Sequence, residues 1–119
     1  MILPHMYRVR QSFDSTHIGD VEGAVRSRLL SAGIRERIKP GTRIAITASS
    51  RGANRSVEIL RTIVNEVRAC GAEPILLPAM GSHGGSTESG QIDVLRAEGI
   101  TEETVGAPIR ATMETQFLG

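Results

Sequence analysis

Two short loops carry the residues of this chain that could do chemistry: Ser49-Ser50-Arg51-Gly52-Ala53-Asn54 and Gly81-Ser82-His83-Gly84-Gly85-Ser86-Thr87. His83 lies between glycines, directly after the apolar stretch EPILLPAM. An imidazole both takes and gives a proton near neutral pH, and flanking glycines let a ligand approach the backbone closely. Arg51 offers a planar fork of donors matched to a carboxylate or phosphate. Ser49, Ser50 and Ser82 add hydroxyls, and Gly52, Gly81, Gly84 and Gly85 supply flexible backbone. With both loops on one edge, Arg51 would hold the carboxylate of a small hydroxy or amino acid. His83 would then reach its Cα or its hydroxyl. That chemistry suits an isomerase or racemase, and equally a lyase or a plain carboxylate binder. The bland alternative is a pair of polar loops in which Arg51 points to water and the glycines only turn the chain. The second loop has neither GxGxxG nor the Walker A lysine, so a dinucleotide or nucleoside triphosphate finds no support. It also lacks the GxSxG order of a nucleophile elbow.

The elements that must position these loops follow from hydrophobic spacing. MYRVRQSF alternates weakly and reads as a strand or an extended arm. Asp20 caps a predicted helix that runs to about Arg37, with Val21, Val25, Leu29 and Leu30 on one side. Lys39-Pro40-Gly41 ends it, because proline cannot continue the hydrogen-bond ladder. TRIAITA, residues 42–48, is a β-branched run and reads as a buried strand. From Asn54 to about Cys70, Val57, Leu60, Ile63, Val64 and Val67 recur at helical spacing. Arg55, Glu58, Arg61, Glu66 and Arg68 form the polar side of that helix, and Gly71 stops it. EPILLPAM is a second strand, apolar throughout as when both faces are covered. Ser86 or Thr87 caps a helix to about Glu98, with Ile92 and Leu95 inward. TEETVG adds a helical turn, and IRATMETQFL reads as a last strand.

This alternation predicts an α/β domain, a mostly parallel sheet flanked by helices in three Rossmann-like layers, with right-handed crossovers. Ligands of such sheets gather at the carboxyl ends of the strands. Both loops leave carboxyl ends and enter helix N-termini, which favour anions. They are therefore expected on the same edge.

Composition narrows the function. The chain has 119 residues, enough for one domain with its own core, and a formal net charge of +1. That balance argues against a nucleic-acid partner, which selects for a basic face. Only three rings, Tyr7, Phe13 and Phe117, are present, too few for a base-stacking surface. The lone Cys70 allows no internal disulfide and no cysteine metal site, and its place late in the apolar pattern predicts a buried thiol. No run reaches membrane-spanning length and no signal-peptide layout opens the chain, so a cytoplasmic protein with no membrane partner is expected. His5 and His17 lie in weakly patterned sequence and are expected at the surface.

The segments SSRG, PAMGSHGG and GITEETVGAPI, in that order and separation, give the chain after about residue 40 a further meaning. It resembles the N-terminal part of the nickel-pincer lactate racemase family, which includes epimerases of longer 2-hydroxy acids. The resemblance implies racemisation or epimerisation at C2 of lactate or a larger hydroxy or sugar acid. Hydride leaves Cα for a nickel pincer nucleotide and returns to either face, while two histidines serve as acid and base on the hydroxyl. By position, Arg51 matches the arginine that grips the carboxylate, and His83 matches the first of the two histidines. The first loop departs from the lactate racemase form. Ala48 stands where that form has an aspartate, and Gly52 where it has a proline.

Family members are several times longer. Their cofactor-anchoring lysine, nickel-binding histidine and second acid–base histidine have no counterpart in this chain. Lys39, its only lysine, precedes the Pro-Gly turn in the wrong part of the sequence. The expectation is one α/β domain over residues 1–119, the N-terminal part of a longer two-domain protein, with no metal ligand of its own and no activity alone. Its expected partners are a 2-hydroxy acid and a missing C-terminal domain, with homo-oligomers or a swapped terminal strand as consequences of exposed apolar surface. A non-catalytic small-anion binding module and a split-enzyme subunit are the alternatives.

Overall fold

A computed structural model describes residues 6–114. Its centre is a pair of parallel strands, β1 (Arg43–Ala48) and β2 (Glu73–Pro78), in register from Arg43 opposite Glu73 to Ala48 opposite Pro78. Their starts are stitched together, the Gly41 amide donating to the Gly71 carbonyl at 2.8 Å and the Glu73 amide to Thr42 at 2.8 Å. At the far end the Ala79 amide donates to Ala48, also at 2.8 Å. Because the strands are parallel and flush, both loops do leave the same edge.

Between the strands runs α3 (Ser56–Ala69), preceded in the chain by α1 (Val21–Ser31) and α2 (Ile34–Arg37). After β2 come a 3₁₀ turn (His83–Ser86), α4 (Glu88–Ala97) and α5 (Glu102–Val105). The core is where the helical apolar stripe predicts it. Leu60, Val64 and Val67 of α3 are buried together with Ile46, Ala48, Leu76, Leu95, Ile100, Val105 and Ile109. Full burial of a side chain such as Leu76 or Leu95 contributes about 1.5–3 kcal/mol, so this cluster holds the strands against the helices.

Several expectations need correction. The helix drawn from Asp20 to Arg37 is two helices. Asp20 does cap the first, accepting from the Gly23 amide at 2.8 Å, but Gly33 takes φ +73° and breaks the ladder. Neither piece buries a residue fully; Val25 and Leu29 instead line an open apolar groove with Ile59 and Ile63 of α3. Glu66 is not on a solvated polar face. It is buried, and the Arg26 guanidinium donates to it at 2.8 Å while also pairing with Glu22. Those bonds, the one to Glu66 foremost, raise the Arg26 pKa above its usual value. Cys70 is half-buried rather than buried.

The sheet also differs from expectation. Ile44, Ile46 and Ala48 share the helix-covered face with Pro74, Leu76 and Pro78, whereas Arg43, Ala45 and Thr47 on the other face are exposed and Ile75 and Leu77 are half-buried. Among the described residues only one face is fully covered, although the apolar run of β2 reads as covered on both. The last strand shrinks to one parallel bridge. The Leu76 amide donates to Pro108 at 2.8 Å and the Arg110 amide to Leu76 at 2.9 Å, and residues 111–114 take part in no strand pairing among the described residues. The remainder of that predicted strand lies outside the described residues. Residues 7–13 are an exposed arm and not a strand, with Tyr7 and Phe13 in solvent.

Candidate functional site

The edge where β1 and β2 end brings the two loops into direct contact. Ser50 Oγ lies 2.6 Å from His83 Nδ1, a hydrogen bond across 33 positions of sequence. Ser50 is half-buried and His83 exposed; the ring is held at Nδ1, and Nε2 makes no hydrogen bond among the described residues. His83 stands at the start of the 3₁₀ turn, its amide donating to Met80 at 3.2 Å. Met80 is buried, which roots the turn in the core.

Arg51 follows Ser50 and is exposed, and none of the ion pairs among the described residues uses it. Ser49 is exposed and lines a cleft of about 240 Å³ with Gly52, Ala53, Ser56, Ile59 and Glu98. The cleft is mostly apolar and does not include His83, so it is separate from the Ser50–His83 contact. Ser82 precedes the 3₁₀ turn and gives it no side-chain cap.

The glycines divide by what they do. Gly81, at φ +59°, has open space where a side chain would go, and its carbonyl accepts from Gln91 Nε2 at 3.0 Å. Gly85, at φ +68°, is open as well. Gly84 is different. At φ +65°, a Cβ there would lie 2.5 Å from the Gln91 backbone nitrogen, inside the first turn of α4. Gly84 therefore makes room for a helix, not for a ligand. Gly90 is its counterpart, since a Cβ on Gly90 would lie 2.7 Å from both the Gly84 carbonyl carbon and Thr87 Oγ1.

Gly52 fixes the path of the first loop. It takes φ +54°, with Glu98 Oε2 at 2.8 Å from where its Cβ would be. Proline locks φ near about −65°, so an Arg-Pro loop cannot follow this backbone path.

The two helix N-termini are not alike. Thr87 caps α4, its hydroxyl accepting from Gly90 and donating to the Gly84 carbonyl at 3.0 Å, and Glu88 occupies the first turn. That end already has a side-chain acceptor and a carboxylate in its first turn. At the start of α3, Arg55 sits in the left-handed region at φ 61° and gives no side-chain cap. Its guanidinium instead grips Glu58 through two bonds at 2.7 and 2.9 Å and reaches the Gly19 carbonyl at 3.1 Å.

Sequence reasoning places His83, Arg51 and Ser50 on one edge, and the structure joins two of them directly. It misses Gln91, buried and tied to Gly81, and Glu98, folded back against Gly52. Gly90 was the available signal: a glycine inside a helix costs about 1 kcal/mol relative to alanine, which a close approach of backbone repays. Among the described residues no group of three His, Cys, Asp or Glu is placed to hold a metal, and no helix is long and apolar enough to cross a membrane. Comparison with protein-family models, with curated proteins and with solved structures returned no match, so the chemistry of the site rests on its own residues.

Proposed function

We propose that this chain supplies the carboxylate-binding and proton-transfer half of a racemase or epimerase acting at C2 of a 2-hydroxy acid. The observation that carries the reading is the Ser50–His83 hydrogen bond, which holds an imidazole with Nε2 free on the edge that also presents Arg51. Arg51 pairs its guanidinium with the substrate carboxylate, a contact that is frequently bidentate. His83 exchanges a proton with the C2 hydroxyl through Nε2. Removing hydrogen from C2 of an alcohol as hydride leaves a carbonyl only if the O–H proton departs as well, so a base at the hydroxyl is required. Inversion needs a second acid–base group on the opposite face, which this reading assigns to a C-terminal domain or a separate subunit.

The same source would provide the hydride acceptor. The residues present do not fit a nickel pincer nucleotide. Lys39 lies before the start of β1, and β1 itself spans about 20 Å at roughly 3.3 Å per residue, so the lysine is at the wrong end of the sheet from His83. This chain alone is accordingly inactive. In this reading the three-layer sheet is completed by helices over Ala45, Thr47, Ile75 and Leu77, the enzyme is cytoplasmic, and lactate or a larger hydroxy acid is the substrate.

One observation favours a second reading, a stand-alone binder of small carboxylates or phosphate. The N-terminus of α3 has no side-chain cap and follows the loop that carries the exposed Arg51. The two are separated by activity of the chain joined to, or mixed with, the C-terminal domain or subunit that the enzyme reading requires. His83→Ala should abolish racemisation there while Arg51→Ala raises KM by well over tenfold. Near-normal turnover in His83→Ala, or racemase activity absent from every complete form, removes the enzyme reading.

A further inference from the structure

We infer that the groove between α1 and α3, together with the apolar cleft beside the first loop, is the interface of a two-fold dimer of this chain. The two hollows share Ile59 and Ile63, which stand one turn apart on α3 and line both. Together the hollows make one apolar strip that runs from Val25 and Leu29 of α1, across α3, to the end of α4. α1 buries no residue fully along it, and Ile18, just ahead of that helix, is 63% exposed. A contiguous exposed apolar surface of this kind marks a place where another molecule docks.

Charge decides which molecule. Of the three charged residues of α1, Glu22 and Arg26 pair with each other, and Arg26 also holds Glu66. Arg28 enters no ion pair among the described residues, and it rims the α1 side of the strip. Glu98 rims the opposite side, beyond α3, and is likewise in no ion pair among them. It is also the C-cap of α4, where the helix dipole disfavours an acid and favours a cation. Arg28 lines only the first hollow and Glu98 only the second, so Ile59 and Ile63 lie between them. A two-fold axis over those isoleucines exchanges the two sides, as in any isologous interface. It sets Arg28 of each copy against Glu98 of the other, with apolar surface on apolar surface between the two pairs. The strip is therefore complementary to itself, whereas a partner of a single charge sign would match only one side. His83 lines neither hollow, so this interface is separate from the Ser50–His83 contact and does not depend on the racemase reading.

The experiment is sedimentation velocity of the 119-residue chain over a range of concentrations, at low and at physiological salt. The wild-type chain should show a monomer–dimer equilibrium that weakens as salt screens the rim pairs. Arg28→Glu puts two acids at each rim contact and Glu98→Arg puts two arginines there. Each variant alone should therefore dimerise about tenfold or more weakly than the wild type. Mixed in equal amounts, the two variants should form a heterodimer with both pairs intact and nearly wild-type strength. Both substitutions in one chain should likewise restore self-association. Recovery on mixing reads a contact between copies, which a purely structural role of either residue would not produce. Ile59→Asp should leave a monomer; should it unfold instead, the mixing result decides. A wild-type chain that stays monomeric at every concentration overturns the inference. So does a dimer that both charge variants leave unchanged, or one that mixing them fails to restore.

Discussion

Replacing Gly84 with alanine separates a glycine kept for a ligand from one kept for a helix. Gly84 has φ +65°, and its missing Cβ would lie 2.5 Å from the Gln91 backbone nitrogen, where no flexible side chain can move aside. The left-handed conformation costs an L-residue about 1–2 kcal/mol. Forcing the turn off α4 adds about 1–3 kcal/mol, the usual range for overpacking. The sum, about 2–5 kcal/mol, is a large part of the about 5–15 kcal/mol that keeps a domain folded. Gly85→Ala is the internal control. Gly85 has φ +68° but nothing within 4 Å of its Cβ position, so only the first cost applies, about 1–2 kcal/mol.

The assay is urea unfolding of the two variants, followed by far-ultraviolet circular dichroism. With a slope of about 1–3 kcal/mol per molar urea, a 2 kcal/mol difference separates the midpoints by about 1 M. Gly90→Ala approaches the same contact from the helix side without a positive φ, and should also lower the midpoint. Equal midpoints for Gly84→Ala and Gly85→Ala would refute the reasoning. They would return the space over Gly84 to a ligand.

Two further outcomes follow from the same turn. Thr87→Ala removes the cap of α4 and the bond to the Gly84 carbonyl, and should cost about 0.5–2 kcal/mol in the same unfolding assay, with Thr87→Ser largely neutral. Gln91→Ala removes the side-chain partner of the exposed Gly81 carbonyl, a hydrogen-bond loss of about 0.5–1.5 kcal/mol. Amide hydrogen exchange over residues 81–85 should accelerate in that variant more than exchange in β1.

What could be read from the sequence was whatever depends on local pattern. The stripe Leu60, Val64, Val67 and the β-branched run of β1 each specify an element without help from the rest of the chain, and both elements formed, although β1, read as buried, is exposed at Arg43, Ala45 and Thr47. Asp20, and Thr87 as one of two candidates with Ser86, were legible as caps because a helix start needs a side-chain acceptor. The shared edge of the two loops followed from parallel pairing. Long-range facts were not legible. Gly33 resembles any other small residue in a helical pattern until its positive φ is seen. Glu66 reads as a surface charge because its partner, Arg26, is 40 positions away. The glycines of GSHGGST looked alike in sequence, and only the packing of α4 distinguishes Gly84 from Gly81 and Gly85. The run EPILLPAM signalled a strand covered on both faces, but one apolar run cannot say which segment does the covering.

The central claim is that one small carboxylic acid meets Arg51 and His83 together. It is tested most directly by titrating the 119-residue chain with 2-hydroxy acids, from glycolate and lactate to sugar acids, while observing the Arg51 and His83 side chains by ¹⁵N NMR. The account predicts weak, saturable shifts at both residues with a single dissociation constant. Those shifts should be lost in Arg51→Ala and smaller for acids lacking the 2-hydroxyl. Shifts at neither residue, or shifts at His83 that survive Arg51→Ala unchanged, would contradict it.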